Sequence, residues 1–235
     1  MSTFVLVHGA WHGSWCWKRV RSLLQAAGHE VFTPTLTGLG ERSHLLTRAV
    51  DLETHILDVL NLIRWEELSD VVLCGHSYGG AVVTGVADRM PARIRALVYL
   101  DAFVPEDNEN VLQHVPEAQV EHMLEGTRSI GEGWKVPPIP AEVFNVNEAD
   151  RDWVNNQCTV QSLETFQQRI SLSGGIQEIE NIVFIRASGF EEGSPFPPFE
   201  EKARAAGWKT LEMACGHDVM LERPEQLTKA LVDAA

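Results

Sequence analysis

Val71-Val72-Leu73-Cys74-Gly75-His76-Ser77-Tyr78-Gly79-Gly80 is the stretch on which the fold turns. A short apolar run rich in β-branched residues passes through Gly-His-Ser-Tyr-Gly into a helix-compatible segment. The spacing is G-x-S-x-G, placed at a strand-to-helix turn as that motif requires. A serine on such a turn is strained, and side chains at Gly75 and Gly79 would clash with the turn. The geometry lifts the Ser77 hydroxyl above the sheet. It also leaves the N–H of Tyr78 at a helix N-terminus, where negative charge is stabilised. Alone, the stretch is also compatible with a Gly-rich turn holding an incidental serine, so the flanking sequence has to decide.

Outward from this turn, apolar runs and helical patterns alternate. Phe4–Val7 reads as a buried strand that ends in the loop His8–Gly13. Helical spacing of Trp17, Val20, Leu23, Leu24 and Ala27 follows, closed by Gly28. Val31 and Phe32 form a short strand stopped by Pro34. Asp51 can cap a helix whose buried stripe is Leu52, Ile56, Val59, Leu60 and Ile63. After Ser77 the helix is unusually apolar (Ala81, Val82, Val83, Val86) and stops before Pro91. Ile94–Leu100 is a further strand, followed by Asp101. This alternation implies βαβ units and a parallel sheet with right-handed crossovers. Residues 106–178 lose the strand-like runs, and helical patches are expected near Val111–Leu124, Asn147–Asn155 and Ser162–Leu172. That region reads as an inserted helical cap, with the core formed by 1–105 and 179–235. Sheet pattern resumes with strands at Asn181–Arg186 and Lys209–Met213, a helix at Phe199–Ala206 between them, and a last helix opening at Pro224.

The chain has 235 residues, 44% hydrophobic and 22% charged, which suits one α/β domain with an insertion. A formal charge of −14 argues against nucleic acid and anionic membrane surfaces as partners. The N-terminus has no basic region and no long apolar stretch, so no signal peptide or anchor is expected, and no run reaches the roughly 20 apolar residues of a membrane span. Cys16, Cys74, Cys158 and Cys215 show neither C-x-x-C nor metal-ligand spacing. Free, mostly buried thiols suit a reducing, cytoplasmic setting. Nothing here fixes oligomeric state, and a homodimer is compatible with the sequence.

Loops at the C-terminal ends of parallel strands face one crevice. The loop His8–Gly13, the Ser77 turn, Asp101 and His217 therefore converge, although far apart in the chain. A serine hydroxyl is a weak nucleophile and needs a base within hydrogen-bond reach. His217 would take its proton and return it to the leaving group. An acid would orient the imidazole, and the N–H groups of Ala10 and Tyr78 would bind an oxyanion.

With these residues in place the chain resembles the α/β-hydrolase superfamily over nearly its whole length. It looks closest to the small esterase branch that holds plant methylesterases, hydroxynitrile lyases and bacterial relatives. The resemblance is carried by Val5–Gly13, Leu23–His29, Gly75–Gly80, Leu97–Pro105 and Gly216-His217-Asp218 with Pro224, in that order. It implies an α/β-hydrolase fold, a mostly parallel sheet flanked by helices, and the order Ser77…Asp101…His217 of that superfamily. In one respect the chain departs from the pattern. Plant members place the acid just after the strand that is here Ile182–Ile185, and that position falls near Phe190, which cannot act as an acid. Asp101 is the natural substitute, with Glu191 or Glu192 as the alternative; Asp101 is also readable as a strand-end carboxylate capping local backbone. In the lyases, as the resemblance implies, a threonine follows the first histidine of the oxyanion loop and a lysine follows the catalytic histidine. Gly9 and Asp218 stand at those positions here, as in the esterase pattern.

His8, Trp11, Phe103, Trp134 and Trp153 are the candidates for contact with substrate. The alternatives are a structural hydrogen-bonding role for His8 and cap-to-core packing for the tryptophans. His12 reads as a brace within its loop, His76 as packing, and Cys215 as buried support. His8 and His12 lie on a loop rather than on one face of a helix, so they do not read as a zinc pair. The expected activity is serine hydrolysis of a small carboxylic ester with an apolar or aromatic portion, with no metal and no organic cofactor. Lyase or cofactor-free oxygenase chemistry on the same fold, or a non-catalytic small-molecule receptor, are the competing readings.

Overall fold

The computed structural model describes all 235 residues. Along the chain run β1 (Thr3–Val7), α1 (Lys18–Ala26), β2 (Glu30–Phe32), α2 (Leu52–Trp65), β3 (Val71–His76), α3 (Gly79–Arg89) and β4 (Ile94–Leu100). Then follow α4 (Glu117–Ser129), β5 (Lys135–Val136), α5 (Glu148–Gln157), β6 (Gln161–Ser162) and α6 (Glu164–Gln167). The chain closes with β7 (Ile182–Ala187), α7 (Pro197–Ala205), β8 (Lys209–Met213), α8 (Val219–Glu222) and α9 (Pro224–Val232). Six strands form one sheet in the order β2-β1-β3-β4-β7-β8, and every pairing in it is parallel.

Both faces of this sheet are covered, which is why its strands read as continuous apolar runs. Alternate residues of each strand serve opposite faces. Val5, Val7, Leu73, Leu97 and Phe184 pack with α2, α3 and α7 residues such as Ile56, Val83 and Phe199. Phe4, Leu6, Val72, Val98 and Ile185 pack with Val20 and Leu24 of α1 and Leu227 and Leu231 of α9. From Gly79 to Asp88 every residue of α3 is buried. Asp51 caps α2 with a reciprocal capping box through Thr54.

Residues 106–178 add no strand to the main sheet. Three expectations for this region are corrected. First, it is not strand-free: Lys135–Val136 and Gln161–Ser162 pair as a small antiparallel ribbon. Two-residue strands carry no periodicity and leave no sequence signal. Second, the helix expected over Val111–Leu124 is broken at Pro116, with a 3-10 turn at Val111–His114 before it. Third, the helix expected over Ser162–Leu172 shrinks to the four residues of α6. No helix is long and apolar enough to cross a membrane.

Candidate active site

β3 lies in the middle of the sheet and delivers Ser77 at its C-terminal edge. Ser77 has φ 54°, a left-handed conformation that strains a non-glycine residue. The turn holds because its neighbours approach closely. A Cβ on Gly75 would stand 2.5 Å from the Gly79 carbonyl oxygen, and one on Gly79 would stand 2.6 Å from that of His8. The Ser77 N–H donates to the Leu100 carbonyl (3.2 Å) and its own carbonyl accepts from Phe103 N–H (3.2 Å), so the turn is tied to the end of β4.

His217 reaches the same crevice from the loop after β8. Its Nδ1 lies 2.7 Å from Asp101 Oδ2, both side chains being buried. Asp101 ends β4 and accepts at its other oxygen from Arg186 Nη1 (2.8 Å) and the Ala187 N–H (3.1 Å). Glu191 and Glu192 are exposed. Phe190, near which the resemblance placed an acid, presents its ring to His217 at 5.2 Å and its carbonyl to Arg186 Nη2 at 2.9 Å. The imidazole also stacks on Phe196 at 5.0 Å and meets Phe144 at 5.3 Å. From behind, His76 Nε2 donates to the His217 carbonyl (3.0 Å), so His76 ties the His217 loop to β3. Burial, then the neighbouring His217, holds the His76 imidazole well below its ordinary pKa.

Ser77 and His217 line one apolar cavity between the sheet edge and the 106–178 region, of about 490 Å³ including its mouth. Its wall contains no Asp, Glu, Lys or Arg. Trp11 and Phe103 belong to it, as do Met123, Phe144 and Phe166. His8, Trp134 and Trp153, expected as substrate contacts, do not. His8 is wholly buried, with Nδ1 2.8 Å from the Gly9 carbonyl and Nε2 accepting from the Leu36 N–H at 3.0 Å. Burial drops its pKa to about 3, and it braces two loops as a neutral ring. Trp134 is half-buried under Arg48 and Lys135, and Trp153 packs edge-on against Trp15.

The loop His8–Gly13 brings Ala10 to the cavity wall beside Tyr78. The N–H groups of Ala10 and Tyr78 donate to no acceptor within the protein. His12 points away from the cavity: Nδ1 lies 2.7 Å from the Ala10 carbonyl and Nε2 3.2 Å from Asp218 Oδ2. Burial disfavours a charged His12, but the Asp218 carboxylate beside it prevails and raises its pKa. The Asp218 carboxyl is itself held far below the usual range despite burial, by His12 first. Burial, with nearby carboxylates, pushes the Cys215 thiol up to about 12, which leaves it protonated and without nucleophilic character. No group of three His, Cys, Asp or Glu side chains is arranged to hold a metal ion.

Residues 4–230 match the model of the alpha/beta hydrolase family. The chain belongs to that family. A carbendazim hydrolyzing esterase of Nocardioides sp. (strain SG-4G) is 47% identical over 98% of this chain and 98% of its own. Salicylic acid-binding protein 2 of Nicotiana tabacum is 38% identical over 46% of this hydrolase and 42% of its own length. Among solved structures, an extracellular alpha/beta-hydrolase from a Paenibacillus species superposes with a TM-score of 0.85 at 23% identity, covering 100% of this chain and 99% of the other. A pyrethroid hydrolase from Sphingobium faniae does so with a TM-score of 0.75 at 22% identity, covering 99% and 96%. Those two establish the fold, and the Nocardioides relative makes this chain an esterase-type hydrolase.

Arg186 did not stand out in the sequence as the partner of Asp101, nor did Gln161, whose Oε1 accepts from the Trp11 N–H at 2.9 Å. Arg186 carried a signal: it is the one charge ending an apolar run in a strand buried on both faces, which demands a buried carboxylate partner. Gln161 carried none.

Proposed function

We propose that this hydrolase cleaves a small, uncharged carboxylic ester with an apolar or aromatic portion, through an acyl-enzyme on Ser77. The observation that carries the reading is the 2.7 Å contact of His217 Nδ1 with Asp101 Oδ2, behind an imidazole that shares its cavity with Ser77. Asp101 fixes the ring so that Nε2 is the free nitrogen. Nε2 accepts the Ser77 proton as Oγ attacks the ester carbonyl. The resulting oxyanion is received by the N–H groups of Ala10 and Tyr78, whose lack of any other acceptor supports that role. The tetrahedral intermediate collapses, and the His217 imidazolium protonates the departing alkoxide. Water then attacks the acyl-enzyme with His217 again as base, and the acid leaves with Ser77 regenerated. The chargeless wall supports a neutral substrate, because a buried carboxylate there would find no cation. Residues 106–178 act as the cap that closes over it, and four free thiols support a reducing compartment.

Short-chain p-nitrophenyl esters and carbendazim, on which the Nocardioides relative acts by name, are the substrates to test first. Ser77→Ala is expected to lower kcat by roughly 10⁴ or more, and a fluorophosphonate should add one adduct mass to the wild type and none to the variant. Turnover by the wild type no faster than a heat-denatured control, or Ser77→Ala at full rate, would overturn the reading.

A further inference from the structure

We propose that Gln161, a cap residue, is a positioning residue for the oxyanion site: its side-chain amide fixes the Ala10–Trp11 peptide and so holds Ala10, whose N–H lies in the adjoining peptide, in place. This rests on the reading that the Ala10 N–H receives the oxyanion.

Trp11 has φ 63°, in the left-handed region that a bulky side chain rarely occupies. Such a conformation persists only where surroundings over-determine it, and here the cap does so. All three polar groups of Trp11 are taken up by residues of the 106–178 region. Its N–H donates to Gln161 Oε1 (2.9 Å), its indole Nε1–H to the Val136 carbonyl (3.2 Å), and its carbonyl accepts from Thr159 N–H (2.9 Å). Val136 and Gln161 are register partners in the β5–β6 ribbon, so a single cross-strand pair grips both the backbone and the ring of Trp11.

The orientation of the Gln161 amide follows from its other end. Gln161 Nε2 donates to Thr165 Oγ1 (2.8 Å), and that hydroxyl spends its hydrogen on the Ser162 carbonyl (2.7 Å). The hydroxyl can therefore only accept from Gln161, which leaves Oε1 facing Trp11. Gln161 is 1% exposed, so no water replaces a lost partner. At the far end of the same peptide, the Ala10 carbonyl meets His12 Nδ1 while His12 Nε2 meets Asp218. Both ring nitrogens face acceptors, so both carry hydrogens. The Ala10–Trp11 peptide is thus clamped at its oxygen from the core and at its nitrogen from the cap. Releasing the nitrogen frees ψ of Ala10 and φ of Trp11, and as the loop relaxes toward an unstrained backbone it carries Ala10, and with it the adjoining Gly9–Ala10 peptide that holds the Ala10 N–H, off its target. Gln161 is absent from the cavity wall, so it acts through the loop and not on substrate.

The test compares wild type, Gln161→Leu, Gln161→Glu and Thr165→Val on p-nitrophenyl acetate, with inhibition by phenylboronic acid, which forms a tetrahedral adduct on the serine, and thermal midpoints alongside. Gln161→Leu is expected to lower kcat by roughly tenfold to a hundredfold, short of losing a donor outright, with KM within about twofold. Boronate binding should weaken by a similar factor. Gln161→Glu, which keeps an acceptor facing Trp11, should recover most of kcat, and Thr165→Val should show a milder form of the same kcat-selective loss. Gln161→Leu with wild-type kcat and boronate affinity overturns the proposal. So does a loss of kcat that follows the thermal midpoint while boronate affinity stays at the wild-type value. If the wild type turns over no ester, or Ser77→Ala stays active, the esterase reading itself fails and this proposal falls with it. Full activity of Gln161→Leu beside a dead Ser77→Ala removes this proposal alone.

Discussion

Arg186 is 4% exposed and spends its guanidinium on the Asp101 carboxylate and on the carbonyls of Ala187 and Phe190. The pair is buried, so removing one partner strands the other charge. Arg186→Met is expected to lower the unfolding free energy by about 3 kcal/mol, measured by urea denaturation. Arg186→Lys should lose less, because it keeps the charge but not the planar fork. A methionine variant as stable as wild type would mean that the Ala187 N–H and His217 suffice to hold Asp101. Ser77, His217 and Asp101 were legible as candidates because each sits next to a recognisable strand end. Arg186 and Gln161 were not, since their partners lie 85 and 150 positions away and only the folded chain brings them together. For His8 the sequence left substrate contact and structural hydrogen bonding both open, and the ring takes up the second. A histidine at a strand end looks the same in sequence whether its ring enters the cavity or turns under it.

At the scale of elements, α3 is anchored at its far end by Asp88. Its carboxylate accepts from the Ser173 N–H and hydroxyl and from the N–H groups of Gly174 and Gly175, at 2.7 to 2.9 Å. Burial opposes ionisation, but this ring of donors, Ser173 foremost, holds the Asp88 carboxyl below its ordinary range. Asp88→Ala leaves these donors unpaired and should cost roughly 2–4 kcal/mol in urea unfolding at pH 7. Asp88→Asn should cost less, because one oxygen remains as acceptor. An unchanged midpoint for the alanine variant would show that the turn at 173–175 holds itself. The long elements were readable from periodicity, as the buried stripe of α2 and its Asp51 cap illustrate. The short pieces of the 106–178 region were not. A two-residue strand or a one-turn helix is selected by the packing around it, and its own residues express no period.

Over the whole molecule, the buried histidines tie stability to pH. His8, His55 and His76 all have pKa values lowered chiefly by burial. Below pH 6.5 the unfolded chain binds protons that the folded rings refuse, so stability falls as pH falls. His8, whose folded value is about 3 against an ordinary 6.5, should alone remove about 2 kcal/mol between pH 6.5 and 5. His12 acts on the other side. Its raised pKa gives stability that is complete in acid and lost as pH rises through the folded value. Urea midpoints at pH 5.0, 6.5 and 8.0 should therefore drop clearly at the lowest pH, and a flat series would refute the assignment of neutral buried rings.

The pairing of β4 with β7, Leu97 opposite Ile182 through Leu100 opposite Ile185, has its own consequence. The polypeptide leaves the sheet for its long excursion and returns beside the point of departure, where Arg186 and Ala187 clasp Asp101. The doorway is shut by the same residues whatever lies beyond it. The clasp on Asp101 therefore depends on the pairing of the two strands and not on the length of chain between them. A replacement segment would have to match two neighbouring chain ends and also supply partners for the three polar groups of Trp11 and for the Asp88 carboxylate.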